Sequence, residues 1–132
     1  MTTKDKELLL KDICSRLPYG VKLQKTYNTS EPAELYSIDL EHSEVKFYKY
    51  KGEGLTICDV GFIERYGKLR FKPYLFPMSS MTKEQEKEWR YTLSSDGNIT
   101  YDTVDWCNEN HFDYRGLIPM GLAIDATGLN IY

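Results

Sequence analysis

Within five positions the chain places His111, Asp113, Tyr114 and Arg115. An imidazole beside a carboxylate is the elementary unit of general acid–base work, because the carboxylate tunes the ring toward neutrality. A hydrolase using His111 and Asp113 is the catalytic reading of this stretch. Catalysis also needs convergent groups and a nucleophile or a metal, and neighbours at a helix end point in different directions. The structural reading is therefore preferred. In it His111 serves the C-terminal end of a helix, while Arg115 pairs with Asp113 or caps free carbonyls. No catalytic residue is assigned, and the chain is expected not to be an enzyme.

Other chemistries lack their parts. The second histidine, His42, falls in a turn, and no HxxxH, HExxH or EF-hand spacing occurs. Cys14, Cys58 and Cys107 are far apart and odd in number, which suits reduced thiols rather than disulfides or a zinc knuckle. Phosphate-cradling GxxxxGK[ST], dinucleotide GxGxxG and nucleophile-elbow GxSxG patterns are all absent. Neither a metal nor a cofactor is expected.

A basic, aromatic pair of segments offers a binding chemistry instead. "KFYKYK" and "RYGKLRFKPY" interleave cations with tyrosines, and Tyr48, Tyr50, Arg65, Tyr66, Arg70, Lys72 and Tyr74 are the candidate binding residues. Small barrels hold single-stranded nucleic acid by stacking bases on aromatics while cations track the backbone. Strand alternation puts Tyr48 and Tyr50 on the face opposite Lys49 and Lys51, which splits that patch. An isoelectric point near 5.4 also lies well below that of a nucleic-acid domain. Protein binding is the first reading: 11 tyrosines against 5 phenylalanines and 2 tryptophans suit a rigid aromatic surface rimmed by charge. Single-stranded nucleic-acid binding is the alternative, and homo-oligomerisation is left open.

These residues must be positioned by 132 residues of ordinary globular composition, 41% hydrophobic and 28% charged, enough for one domain spanning 1–132. The net charge of −3 is unevenly spread. Residues 44–74 carry seven basic and four acidic groups, residues 75–132 four and nine. No secretory h-region follows "MTTKDKELLL" and no apolar run approaches a membrane span, so an intracellular, soluble protein with no membrane partner is expected.

The fold class reads as α+β. Residues 1–18 form a helix, with Leu9, Ile13 and Leu17 on one stripe, Leu10 and Cys14 alongside, Thr2 or Thr3 as cap, and Pro18 as its stop. Residues 21–76 break into five strand-like segments separated by turn chemistry. Val21/Leu23, Tyr36/Ile38/Leu40, Val45/Phe47 and Leu69/Phe71 are expected to face inward. Five sequential strands suggest an antiparallel meander curled into an SH3-like small barrel, or an open sheet with the helices on one face. Pro73 predicts that the last strand lies at an edge or stops pairing there. Residues 82–111 hold two short helices, the first capped by Thr82 and Gln85 and docking through Trp89 and Leu93, with Met81 alongside. The second carries Val104, Cys107 and His111 on one stripe, with Thr100 or Asp102 as cap. Residues 112–132, punctuated by Gly116, Pro119, Gly121 and Gly128, are expected to clamp the core as an extended tail.

Three stretches, "LLLKDICSRLPYGVK", "KPYLFPMSSMT" and "HFDYRGLIPMGLAIDATGLNIY", carry a resemblance to small uncharacterised proteins encoded by phages, prophages and mobile elements of Bacteroides and related gut bacteria. The resemblance spans most of the chain and is weakest over residues 24–70. It implies a cytoplasmic accessory protein of phage type that engages host machinery or defence components. No site residue is carried over from it.

Overall fold

In the computed structural model, residues 2–26, 31–51, 54–65 and 68–132 are described; for 49–51, 54–60 and 62 the description covers the backbone alone. Helix α1 spans Thr3–Arg16. Thr2 caps it by a reciprocal pair of bonds, the Asp5 backbone N–H donating to the Thr2 hydroxyl and the Thr2 N–H to the Asp5 carboxylate. Its buried face is Leu9, Asp12, Ile13 and Arg16, a stripe at i, i+3, i+4, i+7 of which half is charged. A 3-10 turn, Leu17–Tyr19, with Pro18 inside it, ends the helix, and Gly20 takes the left-handed conformation at φ 71° that starts the sheet.

The strands are β1 Lys22–Lys25, β2 Ala33–Asp39, β3 Glu44–Lys51, β4 Gly54–Phe62, β5 Glu64–Arg65, β6 Lys68–Leu69, β7 Phe71–Leu75 and β8 Ile124–Asp125. The first four make an antiparallel meander, and β7 then pairs with the free side of β1, giving the order β4-β3-β2-β1-β7-β8. The order is open, with β4 and β8 at its ends, so the strand pairing is not the closed SH3-like barrel of first choice. The sheet curls instead. The β5–β6 hairpin turns the chain back toward β1, with the Arg70 N–H donating to the Ile63 carbonyl at 2.7 Å. The end of β4 lies so close to β7 that a Cβ on Gly61 would sit 2.5 Å from the Phe71 ring.

Inward-facing residues are Val21, Leu23, Ala33, Leu35, Val45, Phe47 and Phe71, which with Leu9 and Ile13 of α1 form the core. The expected phase of β2 is corrected. Tyr36 is 47% exposed, because a bulge between Leu35 and Ser37 inserts one residue against β3 and switches the inward set from Ala33/Leu35 to Ile38, and Leu40 is 62% exposed because β2 ends at Asp39 and Leu40 falls in the turn beyond it. At Pro73 the second of the two expected outcomes holds. β7 is not an edge strand, but its pairing with β1 ends at the pair Leu23–Pro73, and the two-residue parallel strand β8 joins β7 only from Tyr74 onward.

Beyond the sheet come a 3-10 turn, Met78–Ser80, and helices α2 Lys83–Thr92 and α3 Tyr101–Glu109. Thr82 with Gln85 and Thr100 with Thr103 form their capping boxes. Thr100 and Thr103 also donate through their hydroxyls to the Thr92 carbonyl, fastening the end of α2 to the start of α3. The two 3-10 turns and β8 add to the expected elements. The tail buries Phe112, Leu117, Leu122, Ala123 and Ala126, returning along β7 through bonds from the Phe76 N–H to His111 O and from the Ala126 N–H to Leu75 O. Among the described residues no helix is long and apolar enough to cross a membrane.

Candidate functional site

The His111 cluster disperses once folded. His111 follows α3 with φ 62° and closes a Schellman motif: its N–H donates to Asn108 O, and the Phe112 N–H to Cys107 O. Its ring stacks on Tyr132 with centroids 3.6 Å apart, and its Nδ1 is buried without a partner among the described residues. Burial first, then the Arg16 and Lys22 charges, lower its pKa to about 4, so the ring is neutral at neutral pH. Asp113 uses both carboxylate oxygens on the chain ahead, accepting from the Leu117 and Ile118 N–H groups at 2.8 Å each. Arg115 does not pair with Asp113 as expected; it reaches Asp12 at 2.9 Å. An imidazole on Tyr132, a carboxylate filled by backbone donors and a guanidinium on α1 share no reacting point.

That guanidinium belongs to a buried charge cluster the sequence reading missed. Asp12 and Arg16 are both fully buried. Arg16 donates to Asp12 through Nε at 2.8 Å and through Nη2 at 3.2 Å, and Nη2 also donates to Phe112 O at 2.7 Å. Tyr114 lies between the two cations, its ring centroid 5.1 Å from Arg16 and 4.7 Å from Arg115. The Asp12/Arg16 spacing of i, i+4 was the available signal. A periodicity that counts apolar positions alone passes over it.

Of the seven expected binding residues, the five whose side chains are described are not brought to one surface. Tyr48 meets Tyr36 edge to face at 5.0 Å on the outer side of β2 and β3, near exposed Lys46. Arg65 is exposed on β5, and Arg70 and Lys72 are half-buried around the start of β7. Tyr74 is withdrawn from the surface: it is 6% exposed, its hydroxyl donates to the Gln24 side chain, and its carbonyl accepts from the Tyr132 hydroxyl at 2.8 Å. Burial raises its pKa. Tyr66 and the side chain of Tyr50 lie outside the described residues.

A concave site forms elsewhere, between the Met78–Ser80 turn, α2 and α3. One hollow of about 130 Å3 is lined by Met78, Trp89, Ile99, Thr103, Val104, Cys107 and Tyr114. A second, of about 290 Å3, lies beside it and is lined by Met78, Ser79, Met81, Glu86 and Trp89. Met78 and Trp89 are common to both, so the two hollows make one groove divided by a thioether and an indole. The folding logic is local. Gln85, Trp89 and Thr92 fall on the α2 face turned to α3, and the Thr92–Thr103 bond at 3.0 Å holds the two helices together on one side of Trp89. On the far wall, Tyr114 is backed by the buried Arg16 and half-buried Arg115 guanidiniums.

The lining is apolar over Cys107 and mixed beside Ser79 and Glu86, with one unsatisfied donor in the wall between them. Trp89 Nε1 is buried without a hydrogen-bond partner among the described residues, whereas the other indole, Trp106, donates to Glu88 at 3.4 Å. Cys107 at the floor is no nucleophile, since burial pushes its thiol up to about 11. Ile99 stands at the rim, 69% exposed. The sequence reading assigned Trp89 and Met81 to helix docking. The excess they leave open needs the position of Met78 and Ile99, which periodicity does not give. Among the described residues no cluster of three His, Cys, Asp or Glu could hold a metal ion. No protein family, curated protein or solved structure matches this chain.

Proposed function

We propose that this protein is a non-enzymatic, protein-binding accessory protein of phage or mobile-element type, acting on a component of its bacterial host through the groove between the Met78–Ser80 turn, α2 and α3. The observation that carries the reading is the divided hollow itself. A buried indole N–H without a partner is costly in a finished interior, of order 1–3 kcal/mol, and becomes an asset when a partner supplies the acceptor. Methionine and tryptophan walls suit a surface that adapts to an inserted side chain. The test is a paired affinity capture in infected or lysogenic host cells, with the wild-type chain and Ile99→Asp as baits. Ile99 is exposed, so its replacement spares the core. A stoichiometric protein retained by the wild type and lost from the variant is expected. A partner held equally by both baits, or none held by either, overturns the reading.

The outer face of β2 and β3 supports a second reading, single-stranded nucleic-acid binding, because Tyr36 and Tyr48 form an outward aromatic pair near Lys46. Oligonucleotide gel shifts at low salt would show retardation that Tyr36→Ala weakens and added salt removes. No shift at low salt ends that reading.

A further inference from the structure

The groove's occupant can be specified further, on the reading that it binds protein at all. Volume limits what enters. A dry cavity of about 150 Å3 is known to take benzene, so the hollow over Cys107, at about 130 Å3, fits one compact apolar side chain rather than an indole or a whole helix turn. The neighbouring hollow is larger and lined in part by Ser79 and Glu86, so what flanks the anchor on that side meets polar and anionic groups. Between the two stands Trp89, whose Nε1 lacks an acceptor. A peptide backbone carbonyl crossing from one hollow to the other is the group that supplies one.

Charge then selects the partner. Residues 83–109, which build both helices of the groove, hold seven acidic groups, Glu84, Glu86, Glu88, Asp96, Asp102, Asp105 and Glu109, against Lys83, Lys87 and Arg90. Arg90 and Glu86 already engage one another at 2.7 Å, so that pair cancels and the surplus is six acids against Lys83 and Lys87. The chain's basic excess lies in residues 44–74, in the sheet, outside the groove. A cationic segment is therefore drawn to the groove end of the molecule, and an anionic one is turned from it.

We infer that the groove binds a peptide segment bearing one compact apolar anchor, such as Phe, Leu or Met, flanked by Lys or Arg. The anchor enters the hollow over Cys107 beside Ile99, a backbone carbonyl accepts from Trp89 Nε1, and a flanking cation lies toward the surplus acids of α2 and α3.

The test titrates the purified full chain with three short synthetic peptides: phenylalanine flanked by lysines, phenylalanine flanked by glutamates, and alanine flanked by lysines. The readout is the pair of indole N–H resonances, with Trp106 as internal reference for Trp89. The lysine-flanked phenylalanine peptide is expected to shift the Trp89 signal and to bind roughly tenfold or more tighter than either other peptide, a margin that shrinks with added salt. Ile99→Ser should weaken it by a similar factor without moving the melting temperature. Equal or tighter binding of the glutamate peptide, a Trp89 signal that never moves, or no binding by any peptide overturns the inference. If the paired capture still finds an Ile99-dependent host protein, the protein-binding reading survives that failure. If the capture also fails, both readings fall together.

Discussion

The seam between α1 and the tail and the groove between α2 and α3 are built from similar materials to opposite ends. Both place polar groups against aromatic rings in an apolar setting. At the seam the charges are answered by one another, although Arg16 Nη1, like Trp89 Nε1, has no partner among the described residues: the Asp12 carboxylate takes two guanidiniums, Arg16 also reaches Phe112 O, and Asp113 receives two backbone donors. In the groove the Trp89 N–H is unanswered and the space beside it is empty of side chains. The difference separates a contact that holds the fold together from one left open for something outside it. A buried charge that loses its partner destabilises strongly, while an indole that has no partner loses nothing when its N–H is removed.

The sharpest way to break the comparison is at the seam. Asp12→Ala leaves Arg16 buried and Arg115 without its carboxylate, and should lower stability by about 3–5 kcal/mol. Thermal or urea unfolding checks this. Replacing Asp12 and Arg16 together by Leu and Met removes the stranded charge and should recover a large part of the loss. If the double variant is as unstable as Asp12→Ala, the seam is not acting as a charge pair.

Acid should open the same region more gently. The folded pKa of His111 is about 4, below its ordinary value near 6.5, so the native state binds fewer protons than the unfolded chain between those two values. Its contribution is fully present above the unfolded value and is lost as pH falls from about 6.5 through about 4. The loss reaches roughly 3 kcal/mol at most, which is the shift converted to free energy. His111→Asn, which keeps tolerance for positive φ, should flatten the dependence of melting temperature on pH across that window. An unchanged slope would show that the ring is not held neutral between Tyr132 and the cations.

A third break tests the curl of the sheet rather than the seam. Gly61→Ala puts a methyl 2.5 Å from the Phe71 ring, and should cost about 1–3 kcal/mol by overpacking. Gly61→Ala in a Phe71→Leu background should cost less, because the ring it meets is gone. Equal losses in both backgrounds would place the strain in the backbone.

What was legible in the sequence divides along the same physical line. The helices announced themselves through side chains that bond to their own backbone: Thr2, Thr82 and Thr100 cap α1, α2 and α3, as local rules expect. The inward sets Val21/Leu23 and Val45/Phe47 follow from a period of two. The phase of β2 did not, because a bulge changes the count without a sequence mark: neither Leu35, Tyr36 nor Ser37 is glycine. Pro73 marked where pairing with β1 ends, as a residue without an N–H should, but it gave no sign of the second neighbour, β8, which arrives from fifty positions later and pairs only beyond it. The burial of Asp12 was signalled only by its i, i+4 spacing to Arg16, for a related reason. Its partner Arg115 lies 103 residues away, and a charge on a helix reads as solvated until the long-range partner is known. The groove was the least legible feature. Trp89 was recognised as a docking residue, but what it leaves uncovered depends on where the Met78–Ser80 turn and Ile99 come to rest.

The smallest effect is the one that sharpens the comparison most. Trp89→Phe removes the N–H, keeps an aromatic ring between the two hollows, and deletes no hydrogen bond in the free protein. Stability should change by less than about 1 kcal/mol in either direction, since relief of an unpaired donor offsets lost indole contacts. Tyr132→Phe is the matched control, because its hydroxyl donates to Tyr74 O and accepts from the Lys22 N–H, both at 2.8 Å. Loss of that hydroxyl leaves two half-buried backbone groups unanswered and should cost about 1–2 kcal/mol. Binding should rank the two the other way, with the lysine-flanked phenylalanine peptide weakened by Trp89→Phe and unaffected by Tyr132→Phe. A groove made for the protein's own stability would reverse both orders, because Trp89 would then be the costlier ring to change and the peptide would be indifferent to it.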